Sequence, residues 1–288
     1  MKPPPFEYHA PRDLGAALRT LAEVDGKVLA GGQSLIPMLN MRLAAPAHLV
    51  DINRVDGLGA TEVTPEGVRV GALARHAEVE RAAAHPLLTR ALKLVAHPVI
   101  RNRGTVVGSL VHADPAAELP AVLAVLGGSV RAARWDTAGG GPVLREVPAE
   151  EFFVGPMESA LGPDELAVSA FFPALPEGSG AAFEEVSRRH GDYALAGVCA
   201  VVTVGAGGAA RARAACVGVG AGPVVVDLGE LGPVQRAGWK AAAALVREAT
   251  DPEEDIHATA AYRRHLVGVL AERALRNAAR EGAAARGA

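Results

Sequence analysis

Cysteine is nearly absent from this 288-residue chain; Cys199 and Cys216 are its only two. With no CxxC pair and no Cys/His cluster, the spacing offers neither an iron–sulfur ligand set nor a structural zinc motif. Both cysteines sit in apolar, strand-like runs, so buried free thiols are expected, with a disulfide between them as the alternative. Aromatic residues make up 4% of the chain, which argues against recognition by many stacked rings. No window approaches about 18 uninterrupted apolar residues, and Met1-Lys2-Pro3-Pro4-Pro5-Phe6 leads into no apolar signal region. A cytoplasmic protein without membrane insertion is the expectation. The net charge of −3, with arginines scattered among Asp and Glu, gives no pull toward nucleic acid.

What is present is ample core material: half of the residues are hydrophobic and 21% are charged. The length suits one large or two ordinary domains. An extended segment at 6–8 precedes a helix with Leu14, Ala17, Leu18 and Leu21 at helical spacing. A strand at 27–30, a turn, a helix at 35–43 and a strand at 48–52 complete a small α/β unit. Residues 58–72 read as a hairpin turning at Thr64-Pro65-Glu66-Gly67, followed by helices near 75–84 and 87–96. Pro98 to Asp114 has no clean period and reads as a long irregular loop. A helix at 116–126 and strands near 128–135, 143–147 and 165–172 follow. Pro173, Pro176 and Gly178 mark a boundary, giving domains of 1–176 (parts 1–55 and 56–176) and 177–288. The second domain shows strands at 181–188, 194–205 and 210–219, then helices at 236–249 and 257–282. The acidic run Asp251–Asp255 is placed to start the last helix, whose final ten residues are expected to fray.

Two glycine-containing segments carry the chemistry. In Ala30-Gly31-Gly32-Gln33-Ser34 the glycines permit close approach of the main chain, and a helix opening at Ser34 points unpaired N–H groups into the turn. Such a bend suits a phosphate or diphosphate, although Ser34 as an ordinary N-cap is the plainer reading. The second segment, Ile100-Arg101-Asn102-Arg103-Gly104-Thr105-Val106-Val107-Gly108-Ser109, adds hydroxyls, and Glu118 follows in the next helix. Two such bends can hold one diphosphate from both sides, with Glu118 accepting from sugar or ribityl hydroxyls.

In order along the chain stand GGQS with Leu35-Ile36-Pro37, then IRNRGT, Gly108-Ser109 and HADPAAELP. They are followed by Gly162-Pro163-Asp164-Glu165-Leu166, by Ser187–Ala194 and by Ala261-Tyr262-Arg263-Arg264. This series resembles the FAD-binding medium subunit of molybdenum hydroxylases, a family that includes carbon monoxide dehydrogenase medium subunits and the xanthine dehydrogenase flavin domain. The resemblance implies an α+β fold: a two-part FAD-binding domain of the vanillyl-alcohol-oxidase type, then a smaller C-terminal α+β domain with a three-stranded antiparallel sheet and helices. It implies FAD held by Val28, Leu29, Ala30, Gly31, Gly32, Gln33, Ser34 and Leu35 in the first loop. Thr105, Val106, Val107, Gly108 and Ser109 form the second, with Glu118 as the acidic residue beyond it. Val95, Leu166, Ala167 and Tyr193 are carried over as neighbours of the flavin ring. The implied role is electron transfer from iron–sulfur clusters on a small partner subunit, which serve a molybdenum-cofactor large subunit, through this FAD to an external acceptor.

One position departs from the pattern. Val107 stands where relatives commonly have glycine, and a positive φ there would strain a β-branched residue by about 1–3 kcal/mol. FAD binding about 5- to 150-fold weaker, with a shifted loop, is the resulting expectation. A flavin-free structural subunit and a free-standing flavin oxidoreductase remain the alternatives. No catalytic residue and no metal ligand is assigned, His97 and His112 included; His97 is expected to order the loop through a backbone hydrogen bond. Asp114 reads as an N-cap before Pro115, Arg101 and Arg103 as phosphate, partner or solvent contacts, and Tyr193 as either core or flavin neighbour.

Overall fold

The computed structural model describes residues 1–287. Its first unit runs β1 (Glu7–His9), α1 (Leu14–Glu23), β2 (Gly26–Leu29), α2 (Leu35–Met41) and β3 (His48–Asp51). These strands form a parallel sheet in the order β1-β3-β2. Asp13 caps α1 by accepting from the Ala16 N–H at 2.8 Å, and Ala17, Leu18 and Leu21 turn its apolar stripe into the core.

The second unit holds β4 (Thr61–Thr64), β5 (Gly67–Gly71), α3 (His76–Ala82), α4 (Pro86–Leu94), α5 (Pro98–Arg101), α6 (Val106–His112) and α7 (Glu118–Leu126). Strands β6 (Ser129–Asp136) and β7 (Gly141–Pro148), helix α8 (Ala149–Phe152), the small pair β8 (Phe153–Gly155) and β9 (Glu158–Ser159), and β10 (Leu166–Pro173) complete it. The order β4-β5-β10-β6-β7 makes an antiparallel sheet whose inner face packs under α4, α6 and α7. The segment expected to be an irregular loop over 98–114 is instead two short helices, α5 and α6. Their lengths of four and seven residues explain the missing periodicity, since neither spans enough turns to print a stripe.

Four antiparallel strands follow: β11 (Ser179–Ser187), β12 (Ala194–Val204), β13 (Ala209–Val217) and β14 (Val224–Pro233). The expected three-stranded sheet therefore gains β14, a half-exposed edge strand whose glycines interrupt the alternation. One face of this sheet, through Ala181, Cys199, Ala215 and Val217, joins the core of the first domain. The other face is covered by α9 (Trp239–Glu248) and α10 (Ala260–Gly287). Cys199 pairs with Ala215 and belongs to the first core, whereas Cys216 pairs with Val198 and belongs to the second, so the side chains point to opposite faces and no disulfide can form.

Helix α10 continues to Gly287, held along most of its length by Leu270, Ala271, Ala274, Leu275 and Ala278 and, in the turns beyond, by buried Ala279 and Gly282. The approach is close: a Cβ on Gly180 would lie 2.5 Å from the Gly282 amide nitrogen. The Asp251–Asp255 run stays outside the helix, where Asp255 accepts from the amides of His257 and Ala258.

Candidate functional site

The two glycine segments meet. A Cβ on Gly31 would stand 2.5 Å from the Arg103 carbonyl oxygen and 3.1 Å from the Thr105 nitrogen, so only glycine allows this contact. Gly32 adopts φ +74°, which turns the chain from β2 toward α2. The N–H groups of Gly31, Gly32, Gln33, Ser34 and Leu35 donate to no backbone carbonyl, although Gly31 is buried. Amides left this way at a bend form an anion-binding concavity. Ser34 is helical, at φ −101° and ψ −49°, and its hydroxyl does not cap α2; the plain N-cap reading is corrected and the hydroxyl is left free.

The second bend is the start of α6. Thr105 is its N-cap, accepting from the Gly108 N–H at 3.1 Å, and a Cβ on Gly108 would lie 2.5 Å from that hydroxyl oxygen. Glycine at 108 is thus required by the cap rather than by a positive φ. Val107 corrects the expectation of strain: it is an ordinary α6 residue, absent from the positive-φ positions, with its side chain 2% exposed in the core. Its amide donates to no backbone carbonyl, whereas those of Val106 and Ser109 are paired to Ala74 and Thr105.

A clasp that the sequence does not advertise holds the bends in register. Asp51 accepts from Asn53 and from the Tyr8 hydroxyl, and Asn53 donates to the Ala30 carbonyl at 2.8 Å. Arg75 then bridges Asn53 Oδ1 and the Arg103 carbonyl, each at 2.6 Å. Burial and the neighbouring Arg103 charge hold the Arg75 guanidinium below its ordinary range, so two cations crowd the second bend. That charge complements a diphosphate. His76 lies beside Gly104 with both ring nitrogens buried and unpartnered. Burial, partly opposed by the Thr105 backbone, lowers its pKa to about 4, and the ring is neutral.

Beyond the bends lies a pair of buried carboxylates. Glu118 is the first residue of α7, and it is 8% exposed. Burial pushes its pKa up to about 7, with Asp114 adding to the effect. Glu185 of β11 has a buried, unpartnered Oε2, and burial followed by the Glu118 charge raises its pKa to about 8. Glu185 escaped the sequence reading because nothing in Phe183-Glu184-Glu185-Val186 distinguishes it from a solvated carboxylate. Tyr193 is 73% exposed, which removes the core alternative, and it lies in the field of Asp114 and Glu118.

Other expectations fall differently. Asp114 accepts from the Ala116 amide in the turn before α7, while Ala117 occupies the N-cap position. Arg101 is committed internally, to Glu80 at 2.9 Å and to the carbonyls of Val95 and Ala96, so it does not reach a phosphate. Arg103 has no such engagement. The His97 carbonyl accepts from Ile100 and Arg101, and its ring stands edge-on to His190. Val95 ends α4, half-buried. Leu166 and Ala167 open β10 beside a bulge, with 3% and 5% exposure. Val28 and Leu29 lie in β2, and Val28 packs on the core.

This geometry brings together two bends with unpaired amides and, beyond them, a pair of buried carboxylates, an arrangement suited to a nucleotide cofactor. Residues 4–175 match the FAD binding domain in molybdopterin dehydrogenase, and residues 181–278 match the CO dehydrogenase flavoprotein C-terminal domain. The chain is 40% identical over 289 residues to the 6-hydroxypseudooxynicotine dehydrogenase complex subunit alpha of Paenarthrobacter nicotinovorans, covering 96% of each. It is 34% identical to the carbon monoxide dehydrogenase medium chain of Hydrogenophaga pseudoflava, over 96% of this chain and 97% of that one. Among solved structures it is similar to a chain of quinoline 2-oxidoreductase from Pseudomonas putida 86, with TM-score 0.88 and 32% identity, covering 98% and 100%. The chain belongs to the family of FAD-binding medium subunits of molybdenum hydroxylases, and FAD is its cofactor.

The residues present fit that cofactor. The unpaired amides of the first bend, the Arg75 and Arg103 cations and the free hydroxyl of Ser34 suit its diphosphate. Among the described residues no helix is long and apolar enough to cross a membrane.

Proposed function

We propose that this chain is the electron-relay subunit of a molybdenum hydroxylase complex, with iron–sulfur clusters on a small partner subunit and substrate oxidation on a large molybdenum-cofactor subunit. Bound FAD supplies the means to accept single electrons and release them in pairs to an external acceptor. The protein's part is position and electrostatics. The amides of Gly31 through Leu35, Thr105 and Val107, with the hydroxyls of Ser34 and Ser109, hold the diphosphate, Gly108 keeps the second bend tight, and Val28, Leu29 and Ala30 bring the chain into the first. Glu118 accepts from ribityl or ribose hydroxyls, and Val95, Leu166, Ala167 and Tyr193 border the ring.

The observation that carries this reading is the contact of the two bends at Gly31, with unpaired amides in both of the segments that meet there. The flavin-free alternative rested on strain at Val107, and that strain is absent. A free-standing oxidoreductase would need an acid or base over the ring beyond those already described. The test is to rebuild the three-subunit complex with wild-type chain or with flavin-free Gly31→Val. The relay reading expects substrate to reduce the iron–sulfur centres in both, with turnover of the external acceptor only in the first. Equal acceptor turnover in both complexes would remove this chain from the electron path.

A further inference from the structure

A second cluster stands apart from the bends, on the opposite strand of the parallel sheet. Glu7 and His9, two residues apart on β1, project from one face, and the register places His48 of β3 directly opposite Glu7. His9 Nε2 lies 3.1 Å from His48 Nδ1, and that nitrogen lies 3.6 Å from Glu7 Oε2. One ligand atom from each residue falls within 4.8 Å of the others. From these positions we infer that Glu7, His9 and His48 form a binding site for a divalent transition metal of the zinc class.

The spacing suits such an ion. Bonds of about 2.0–2.2 Å to a tetrahedral centre put donor atoms about 3.3–3.5 Å apart, and the two measured separations bracket that value. Two imidazoles and one carboxylate match zinc, nickel or copper, whereas calcium and magnesium demand oxygen donors. Supply of ligands from two hydrogen-bonded strands fixes their separation in advance, so little ordering is required on binding. From the other side His48 is paired with Gly26, and β2 therefore presents no side chain that competes for the imidazole. Glu7 is exposed and the imidazoles are half-buried, which gives an ion a path in and leaves a position for water. Without metal, the two imidazole nitrogens can only share one proton between them. With metal, both become ligands, and β1 is stapled to the strand that ends at Asp51.

The experiment uses the full-length, tag-free chain after chelator treatment. Zinc is titrated calorimetrically, and cobalt is followed by the visible absorption that a tetrahedral site gives. One zinc per chain is expected, with affinity at least about 10-fold weaker in His9→Ala and in His48→Ala. Glu7→Gln, a change on an exposed side chain that leaves the fold alone, is expected to weaken zinc and alter the cobalt band. FAD content should be equal in all four proteins, which separates this site from the bends. Absence of saturation by about 1 mM zinc would overturn the assignment. So would zinc binding in Glu7→Gln and the histidine variants that equals the wild type.

Discussion

Gly31 sets how close the two bends can come, and the cost of a methyl group there can be read from its surroundings. In Gly31→Ala the new Cβ would press on the Arg103 carbonyl at 2.5 Å, a backbone atom that cannot swing aside. Overpacking of this kind costs about 1–3 kcal/mol, and if the strain is relieved by parting the bends, FAD affinity falls by roughly 5- to 150-fold. Fluorescence titration of the apo chain with FAD checks this. Val107 makes the opposite case. Val107→Gly restores the residue commoner among relatives, yet it removes a buried side chain from the core and places glycine inside a helix. We expect it to destabilise the chain by about 2–4 kcal/mol in thermal or urea unfolding. The FAD dissociation constant should stay within about 2-fold of wild type; a markedly tighter complex would show that the valine does crowd the cofactor.

At the scale of elements, the buried pair Glu118 and Glu185 links α7 to β11. Glu118 and Glu185 have folded-state pKa values of about 7 and about 8, above the usual 4.5. At these two positions the folded chain holds more protons than the unfolded chain, and the stability they contribute falls as pH rises through that window, against an opposing rise from His76 below about pH 6.5. For Glu118 alone the loss between about pH 4.5 and pH 8 is roughly 3 kcal/mol. Glu118→Gln should raise the melting temperature of the cofactor-free chain at pH 8, flatten its pH dependence and weaken FAD binding. Scanning calorimetry at pH 5 and pH 8 tests the first two, and a pH dependence of the melting temperature that is unchanged in Glu118→Gln would refute the account. The Asn53 clasp gives a companion expectation. Asn53→Ala frees the Ala30 carbonyl and one Arg75 contact, so it should loosen both bends together and lower FAD affinity, as measured by equilibrium dialysis.

The same elements show what the sequence reveals and what it hides. Strand β2, the bend and helix α2 were legible because apolar runs on either side of adjacent glycines give one local solution. Helices α1, α4 and α9 were visible through their apolar spacing. Helices α5 and α6 were hidden because each is too short for a stripe, and β14 because glycines break its pattern. Arg75, Asn53, Glu185 and the Glu7–His9–His48 group were hidden for another reason. Each acts through a neighbour far off in the chain, and only strand register or helix packing brings them together.

Across the whole molecule, the C-terminal sheet is shared between two cores, and the ties that hold it are specific. Arg90 of α4 donates to the Ala181 carbonyl and grips Glu281 of α10 with both terminal nitrogens, at 2.9 and 2.7 Å. Arg263, 7% exposed, donates to the carbonyls of Leu195 and Gly218 and to Asp255. Arg263→Ala would leave the buried Leu195 carbonyl without this donor, at about 1–3 kcal/mol, and the part-buried Gly218 carbonyl at less. Urea denaturation should show that loss, whereas Glu281→Ala, at a half-exposed ion pair, should cost about 1 kcal/mol or less.

The meeting of Gly31 with Arg103 has a consequence for how the cofactor is retained. One bend grows from the parallel sheet and the other from a helix laid on the antiparallel one, so a dinucleotide held at both, as proposed, would work as a rivet through two plates. Pulling the rivet frees the plates to slide. A chain stripped of its flavin should then be nicked by trypsin at Arg54, in the 52–60 connector between the two plates, sooner than the yellow form.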